Sequence, residues 1–258
     1  MVEIAVVDHG QAAALACRLF VDLFSRKTNA VVGLATGSSP MEIYRMLGEL
    51  AASNLLPDLS GINAFALDEY VGLPAGHAES YRAVLTREWT ARLGLREDQL
   101  HVPSGDGSQL ESAAQAFEDA LAGSGGVDLQ LLGIGSNGHI AFNEPGGPLS
   151  SRTRVTRLSQ QTRRDNARFF GSLDEVPTHS MTQGLQTILD VKRILLLAFG
   201  EHKAQAIAGA FEGPITRDLP ASVLQTHPNV TVLVDEAAAS AFTRLPLNSA
   251  KSWPLQDA

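Results

Sequence analysis

A single cysteine, Cys17, occurs in the 258 residues, so no internal disulfide can form and a reducing compartment is expected. It sits in an alanine-rich amphipathic stretch, where a small core residue fits. No run approaches the roughly 18 apolar residues that a membrane-spanning helix requires. The opening MVEIAVVDHG lacks the basic start and long apolar core of a signal peptide. A cytoplasmic protein with no membrane partner is expected. Positive charge is also scarce: 20 Lys and Arg against 28 Asp and Glu give a formal charge of −8. That balance argues against a general nucleic-acid binder, which needs a clustered basic face. An anionic ligand would have to find local cations. Repeats, low-complexity tracts and long linkers are missing, and GSGG at 123–126 reads as a turn.

What is present is an ordinary globular composition, 44% apolar and 19% charged, enough for a layered core in one domain spanning 1–258. Short apolar or β-branched runs fall at 3–8, 30–35, 63–67, 127–134, 193–199 and 230–235. Helix-like stretches fall at 10–25, 40–52, 80–93, 109–122, 160–170, 181–190, 201–211 and 236–243. Several runs are continuously apolar, as strands covered on both faces are. The alternation predicts an α/β fold: a doubly wound, mainly parallel, Rossmann-like sheet with helices on both faces. Ligands of such a sheet bind beyond the carboxyl ends of its strands.

Three loops follow strands and carry reactive groups. In Thr36-Gly37-Ser38-Ser39-Pro40, Ser39 is expected to cap a helix, with Pro40 in its first position and Glu42 closing a capping box. Backbone N–H groups and the helix dipole would favour an anion there, although the Lys of a P-loop is missing. The plain alternative is ordinary capping. Asp68-Glu69 ends the run at 63–67, where a carboxylate could act as a general base or could be a solvated acidic turn. The third loop, Gly133-Ile134-Gly135-Ser136-Asn137-Gly138-His139 continuing to Glu144 and Pro145, satisfies G-x-G-x-x-G. Pro145 and Pro148 interrupt the helix a dinucleotide site needs, and the acidic residue expected about 20 positions on is replaced by Arg-Thr-Arg-Val-Thr-Arg. The better reading exposes His139 as a proton shuttle with Glu144 to orient it. Cations could come from Arg152, Arg154, Arg157, Arg163, Arg164, Arg168 or Lys203, and spacing alone singles out none of the arginines.

Together, LATGSSPMEIYRML at 34–47, FALDEYVGLPAGHAESY at 65–81, DLQLLGIGSNGHIAFNEPG at 128–146, SSRTRVTRLSQQTRRDNARFF at 150–170 and PASVLQTHPNVTVLVDEAA at 220–238 resemble the glucosamine-6-phosphate deaminase (isomerase) family. That family is a branch of the fold group shared with 6-phosphogluconolactonase. The resemblance implies deamination and isomerisation of an amino-sugar phosphate without metal or cofactor. Asp68 would move the proton between C2 and C1, His139 would assist ring opening, and Glu144 and Asn137 would support the imidazole. Thr36, Gly37, Ser38 and Ser39, with Arg168 and Lys203, match the family's phosphate-binding positions, and a mobile lid is expected around 150–185.

Two positions depart from the family pattern. Asn137 stands where many members carry Asp, so a shifted pH profile is expected. Some members are hexamers activated by an N-acetylamino-sugar phosphate, through serines after the NEP motif and a lysine two residues past an arginine. Here those places hold Gly147, Pro148 and Thr156 while Arg154 remains, which implies weak or absent activation. Both a monomer and a homo-oligomer stay open. The rival readings are a galactosamine-6-phosphate enzyme, a 6-phosphogluconolactonase, whose loop resembles GHTASLFPG and lacks the carboxylate of Glu144, and a non-enzymatic sugar-phosphate sensor.

Overall fold

A computed structural model describes residues 2–244 together with 248 and 249. The strands are β1 Val2–Val6, β2 Val31–Leu34, β3 Asn63–Ala66, β4 Asp68–Tyr70, β5 Leu100–His101, β6 Leu129–Gly133, β7 Arg154–Arg157, β8 His179–Thr182, β9 Ile194–Ala198, β10 Val230–Val234 and β11 Asn248–Ser249. The helices are α1 His9–Arg26, α2 Met41–Ala52, α3 Tyr81–Leu85, α4 Ala91–Leu93, α5 Leu110–Gly123, α6 Gln160–Asn166, α7 Leu185–Leu189, α8 Ala204–Glu212 and α9 Glu236–Ala239.

Among the described residues, eight strands form one sheet in the order β11-β1-β10-β9-β6-β2-β3-β5. Every pairing in it is parallel. β2, β9 and β10 are buried at every position, which is why their sequences are apolar throughout apart from Thr231 in β10. Helix α1 turns Ala12, Ala16, Cys17, Phe20 and Phe24 inward. Phe20, Phe24 and Tyr44 of α2 all pack on Trp89, in the π-helical turn Thr86–Thr90 that joins α3 to α4.

The strand order sets the position of the site. From β2 the chain builds outward through β3 to β5, then returns to place β6 on the other side of β2. The loops after β2 and β6 therefore leave in opposite directions, and such a reversal opens a crevice at the carboxyl edge.

A second sheet was not foreseen. Its order is β4-β8-β7, antiparallel throughout, with Asp68 and Arg154 both opposite Thr182. The chain leaves the main sheet after β3 and, with only Leu67 between, enters β4. Asp68 and Glu69 thus belong to a buried strand, not to an acidic turn, at 6% and 5% exposure. The helix expected at 181–190 is corrected likewise: its start is β8, because Met181 and Thr182 pair with β4 and β7, and only Leu185–Leu189 is helical. The capping box at Ser39 is also absent. Helix α2 begins at Met41, after Pro40 at φ −79° and ψ −15°, and no side chain caps it. The carbonyl of Pro40 accepts the first helical hydrogen bond, from Tyr44 N at 3.2 Å, so Pro40 occupies the cap position and Ser39 lies one residue too early.

Candidate active site

A cavity of about 750 Å³ opens at the carboxyl edge between the loops after β2 and β6. Of the residues singled out by sequence, Thr36, Gly37, Ser38, Ser39, Asp68, His139, Arg168 and Lys203 line it. Asn137 and Glu144 do not; they stand behind His139 and contact it. Most of the other arginines are engaged elsewhere. Arg152 pairs with Asp190 at 2.5 Å, Arg154 donates to Asn143 Oδ1 at 2.9 Å, and Arg163 donates to the carbonyls of Leu173 and Val176.

Asp68 reaches the cavity from β4. Burial pushes its carboxyl well above the usual 3.8, the neighbouring charge of Glu69 adds to the rise, and no hydrogen bond opposes either. An acid so placed holds its proton more tightly than an exposed Asp and, once ionised, is a stronger base. Aromatic rings form the wall beside it. Tyr81 stacks on Phe142 with centroids 6.0 Å apart, its hydroxyl donates to Tyr70 Oη at 3.2 Å, and it also takes a hydrogen bond from Thr36. Sequence reading missed this wall, although Tyr70 and Tyr81 frame the loop that follows Asp68.

The loop after β6 presents His139 through a defined hydrogen-bond chain. Asn137 Oδ1 accepts from the backbone N–H of His139 at 3.2 Å and lies 2.7 Å from its Nδ1. Asn137 Nδ2 donates to Glu144 Oε2 at 3.0 Å. The amide orientation assigns the proton of the neutral ring to Nδ1 and leaves Nε2 as the basic nitrogen. Glu144 is itself fixed by Ser159 N at 3.0 Å and Thr162 Oγ1 at 2.5 Å. Burial holds the His139 pKa below its ordinary 6.5, with Lys203 acting in the same direction and Glu144 and Asp165 against it. Burial alone would raise Glu144, but hydrogen bonds from Thr162 and Ser159 and the nearby imidazole bring it below 4.5.

Two backbone features position the imidazole. A Cβ on Gly135 would stand 2.2 Å from His139 Cε1, so only glycine lets the ring lie against this backbone. Ala141 has φ +50°, in the left-handed region that costs an alanine about 1–2 kcal/mol. It lines the cavity between His139 and Phe142.

The same cavity also carries cations. Lys203 closes the 3₁₀ turn Glu201–Lys203 after β9, and burial lowers its pKa from 10.5, with Asp165 opposing. Arg168 arrives from the turn Ala167–Phe169 that follows α6. Ser38 and Ser39 face them across the loop after β2, where Gly37 holds φ +95°. His9, Phe199 and His202 also line the cavity and were not anticipated. His202 was detectable as the residue before Lys203, whereas His9 carries no local signal. An acid/base pair together with cations and hydroxyls in one cavity suits an anionic, hydroxylated ligand that gains and loses protons.

The family of glucosamine-6-phosphate isomerases/6-phosphogluconolactonase matches residues 9–233. Glucosamine-6-phosphate deaminase of Pseudarthrobacter chlorophenolicus is 52% identical over 244 residues, covering 93% of each chain. The enzyme of that name from an Arthrobacter species is 54% identical over 232 residues, covering 90% of this chain and 89% of its own. A solved structure described as a monomeric glucosamine-6-phosphate deaminase superposes with a TM-score of 0.89 at 41% identity, over 93% of this chain and all of that one. The 6-phosphogluconolactonase of Trypanosoma brucei, at TM-score 0.73 and 20% identity over 94% and 98% of the two chains, shares the fold.

Proposed function

Because this chain belongs to the glucosamine-6-phosphate isomerase/6-phosphogluconolactonase family, we propose that its cavity converts glucosamine 6-phosphate and water to fructose 6-phosphate and ammonia. The observation that carries the reading is that Asp68 and the chain His139–Asn137–Glu144 serve one cavity that Lys203 and Arg168 also line. The deaminases are half identical over nine tenths of the chain, while the lactonase likeness at 20% supports the fold alone.

The proposed steps use only these side chains. Nε2 of His139 takes the proton of the O1 hydroxyl and returns it to the ring oxygen, which opens the pyranose to the C1 aldehyde. Starting from the C2 ammonium form, Asp68 removes the C2 proton while one ammonium proton passes to O1, which gives the enolamine; Asp68 then delivers its proton to C1, leaving a C1 hydroxyl and an iminium at C2. Water adds to C2, ammonia departs, and the C2 ketone remains. Arg168 and Lys203, with the hydroxyls and N–H groups of Thr36–Ser39, hold the phosphate. Asp68 is suited to its part because burial makes it a strong base, and His139 because its depressed pKa keeps Nε2 unprotonated near neutrality.

Within 150–185, strands β7 and β8 are tied to β4, so the part that closes over substrate is the intervening segment with α6, Arg168 and Phe169. No described helix is long and apolar enough to cross a membrane, and Cys17 is buried with its thiol pushed up to about 11. Both fit work in the cytoplasm. The test is ammonia release from glucosamine 6-phosphate, beside galactosamine 6-phosphate and 6-phosphogluconolactone. Release from the first is expected, and release from neither amino sugar would remove the reading.

A further inference from the structure

Glu69 is a buried carboxylate that none of the steps above uses. Alternation along β4 points Asp68 and Tyr70 into the cavity and Glu69 away from it. Its Oε1 accepts from the backbone N–H of Tyr70 at 2.8 Å and of Tyr81 at 2.9 Å, and its Oε2 from Arg82 N at 2.9 Å. No ion pair reaches it among the described residues. Three donors converging on two oxygens is the pattern an ionised carboxylate satisfies. Capping alone does not account for it, because Ser80 already caps α3 through Ala83 N at 3.1 Å. Glu69 instead reaches across 12 residues to tie β4 to the start of α3. That tie closes the loop that brings Glu79 and Tyr81 to the cavity. The carbonyl of Glu69 is fixed in turn by Ser180 Oγ of β8 at 2.9 Å.

We propose that Glu69 is a positioning residue for the deamination: an anion pinned by backbone N–H groups that fixes the Tyr81 wall and sets a negative charge behind Asp68. The inference rests on the function proposed above. The charge acts on the base through one peptide unit, and it raises the proton affinity of Asp68 in the same direction as burial. The cavity that Asp68 faces is also lined by the titratable or charged groups Tyr70 of β4, Glu79, Tyr81, Arg87 and Glu88 about α3 and the turn after it, His139 after β6, Asp165 and Arg168 about α6, His202 and Lys203 after β9, and His9 of α1. Glu69→Gln changes none of these side chains chemically.

The test is the pH profile of kcat/KM for ammonia release by the unaltered protein, Glu69→Gln and Glu69→Asp. With the anion gone, Asp68 ionises more readily, so the acidic limb of Glu69→Gln should move down by roughly one pH unit. Glu69→Asp keeps the charge but withdraws it by one methylene, so its limb should stay at the parent position while kcat falls. A folded Glu69→Gln with the parent limb, or a Glu69→Asp limb shifted as far as that of Glu69→Gln, would overturn the proposal. Should Glu69→Gln fail to fold, amide exchange in the unaltered protein still decides the pinning: the N–H groups of Tyr81 and Arg82 should be protected, and exchange as fast as at Ala75 and Gly76 would overturn it. Absence of ammonia release from the unaltered protein would instead sink the function and leave the exchange result standing.

Discussion

Asn137 donates its amide N–H to Glu144 Oε2 at 3.0 Å, and this bond orients the amide so that its oxygen faces His139. The residue is a neutral bridge between a carboxylate and an imidazole. An Asp here would set two carboxylates 3 Å apart, roughly the spacing at which like charges compete for one proton. Asn137→Asp should therefore add negative charge beside His139 and raise its pKa. Because the neutral ring is the working form, the acidic limb of kcat/KM that reports His139 should move to higher pH. A profile recorded from pH 5 to 9 checks this, and a shift in the opposite direction would contradict the bridge.

Removing the proposed base should separate activity from stability. Asp68→Asn should lower kcat about 10²–10⁴-fold, the usual contribution of a positioned general base. The folded-state pKa of Asp68 is raised above 3.8, so its favourable contribution is fully present below that value and lost as pH rises through the folded pKa. The amide carries no charge to bury. Asp68→Asn should thus be more stable than the parent at pH 7, with the difference vanishing below pH 4. Thermal unfolding at the two pH values measures it.

Lys203→Ala should act mainly on KM and Asp68→Asn mainly on kcat, because a phosphate contact is made in both ground and transition states. Equal KM values for the two variants would remove Lys203 from the phosphate. The pH dependence has a definite sign. Burial lowers the Lys203 pKa, so KM should rise with increasing pH sooner than an exposed lysine would allow.

The main sheet was legible because each central strand is buried on both sides and spells a continuous apolar run. The small sheet was not. β4 has three residues, two of them acidic, and β7 reads Arg-Val-Thr-Arg, so neither resembles a strand until β8 pairs with both. The β4–β8 pairing joins residues more than 100 positions apart, which local patterning cannot report. For the same reason sequence marked Asp68 as a candidate base whose burial would raise its pKa, but not the strand pairing that buries it. His139, Asn137 and Glu144 were easier to find because their contacts span at most seven residues.

Activation by an N-acetylamino-sugar phosphate is expected to be absent. At the positions where activated relatives are expected to offer hydroxyls and a lysine, this chain has Gly147, Pro148 and Thr156. Arg154, the cation that remains, donates to Asn143 Oδ1 at 2.9 Å. Initial rates across a range of glucosamine 6-phosphate should be hyperbolic and unchanged by N-acetylglucosamine 6-phosphate. Lowered KM with the effector present would show that Arg154 leaves Asn143 to bind it.

Gly135 offers the most local test of how His139 is held. Its missing side chain leaves the space the imidazole occupies, and a methyl group would meet Cε1 at 2.2 Å and Nδ1 at 2.3 Å. Real Cβ contacts do not come so close, so in Gly135→Ala either the ring or the loop must move. The backbone is anchored, since Gly135 N donates to the His139 carbonyl at 2.8 Å and the Gly135 carbonyl accepts from Gly138 N at 3.0 Å. The ring should therefore swing and lose the 2.7 Å contact with Asn137 that fixes its tautomer. Misplacing a reacting group by about 1 Å can cost on the order of 10²-fold. Gly135→Ala should lose kcat on that scale while unfolding at nearly the parent temperature. It should also lose the pH shift that Asn137→Asp otherwise produces, because the added carboxylate no longer faces the imidazole. If the double variant Gly135→Ala/Asn137→Asp still shows the full shift, the ring has not moved and the close approach at Gly135 is not what positions it.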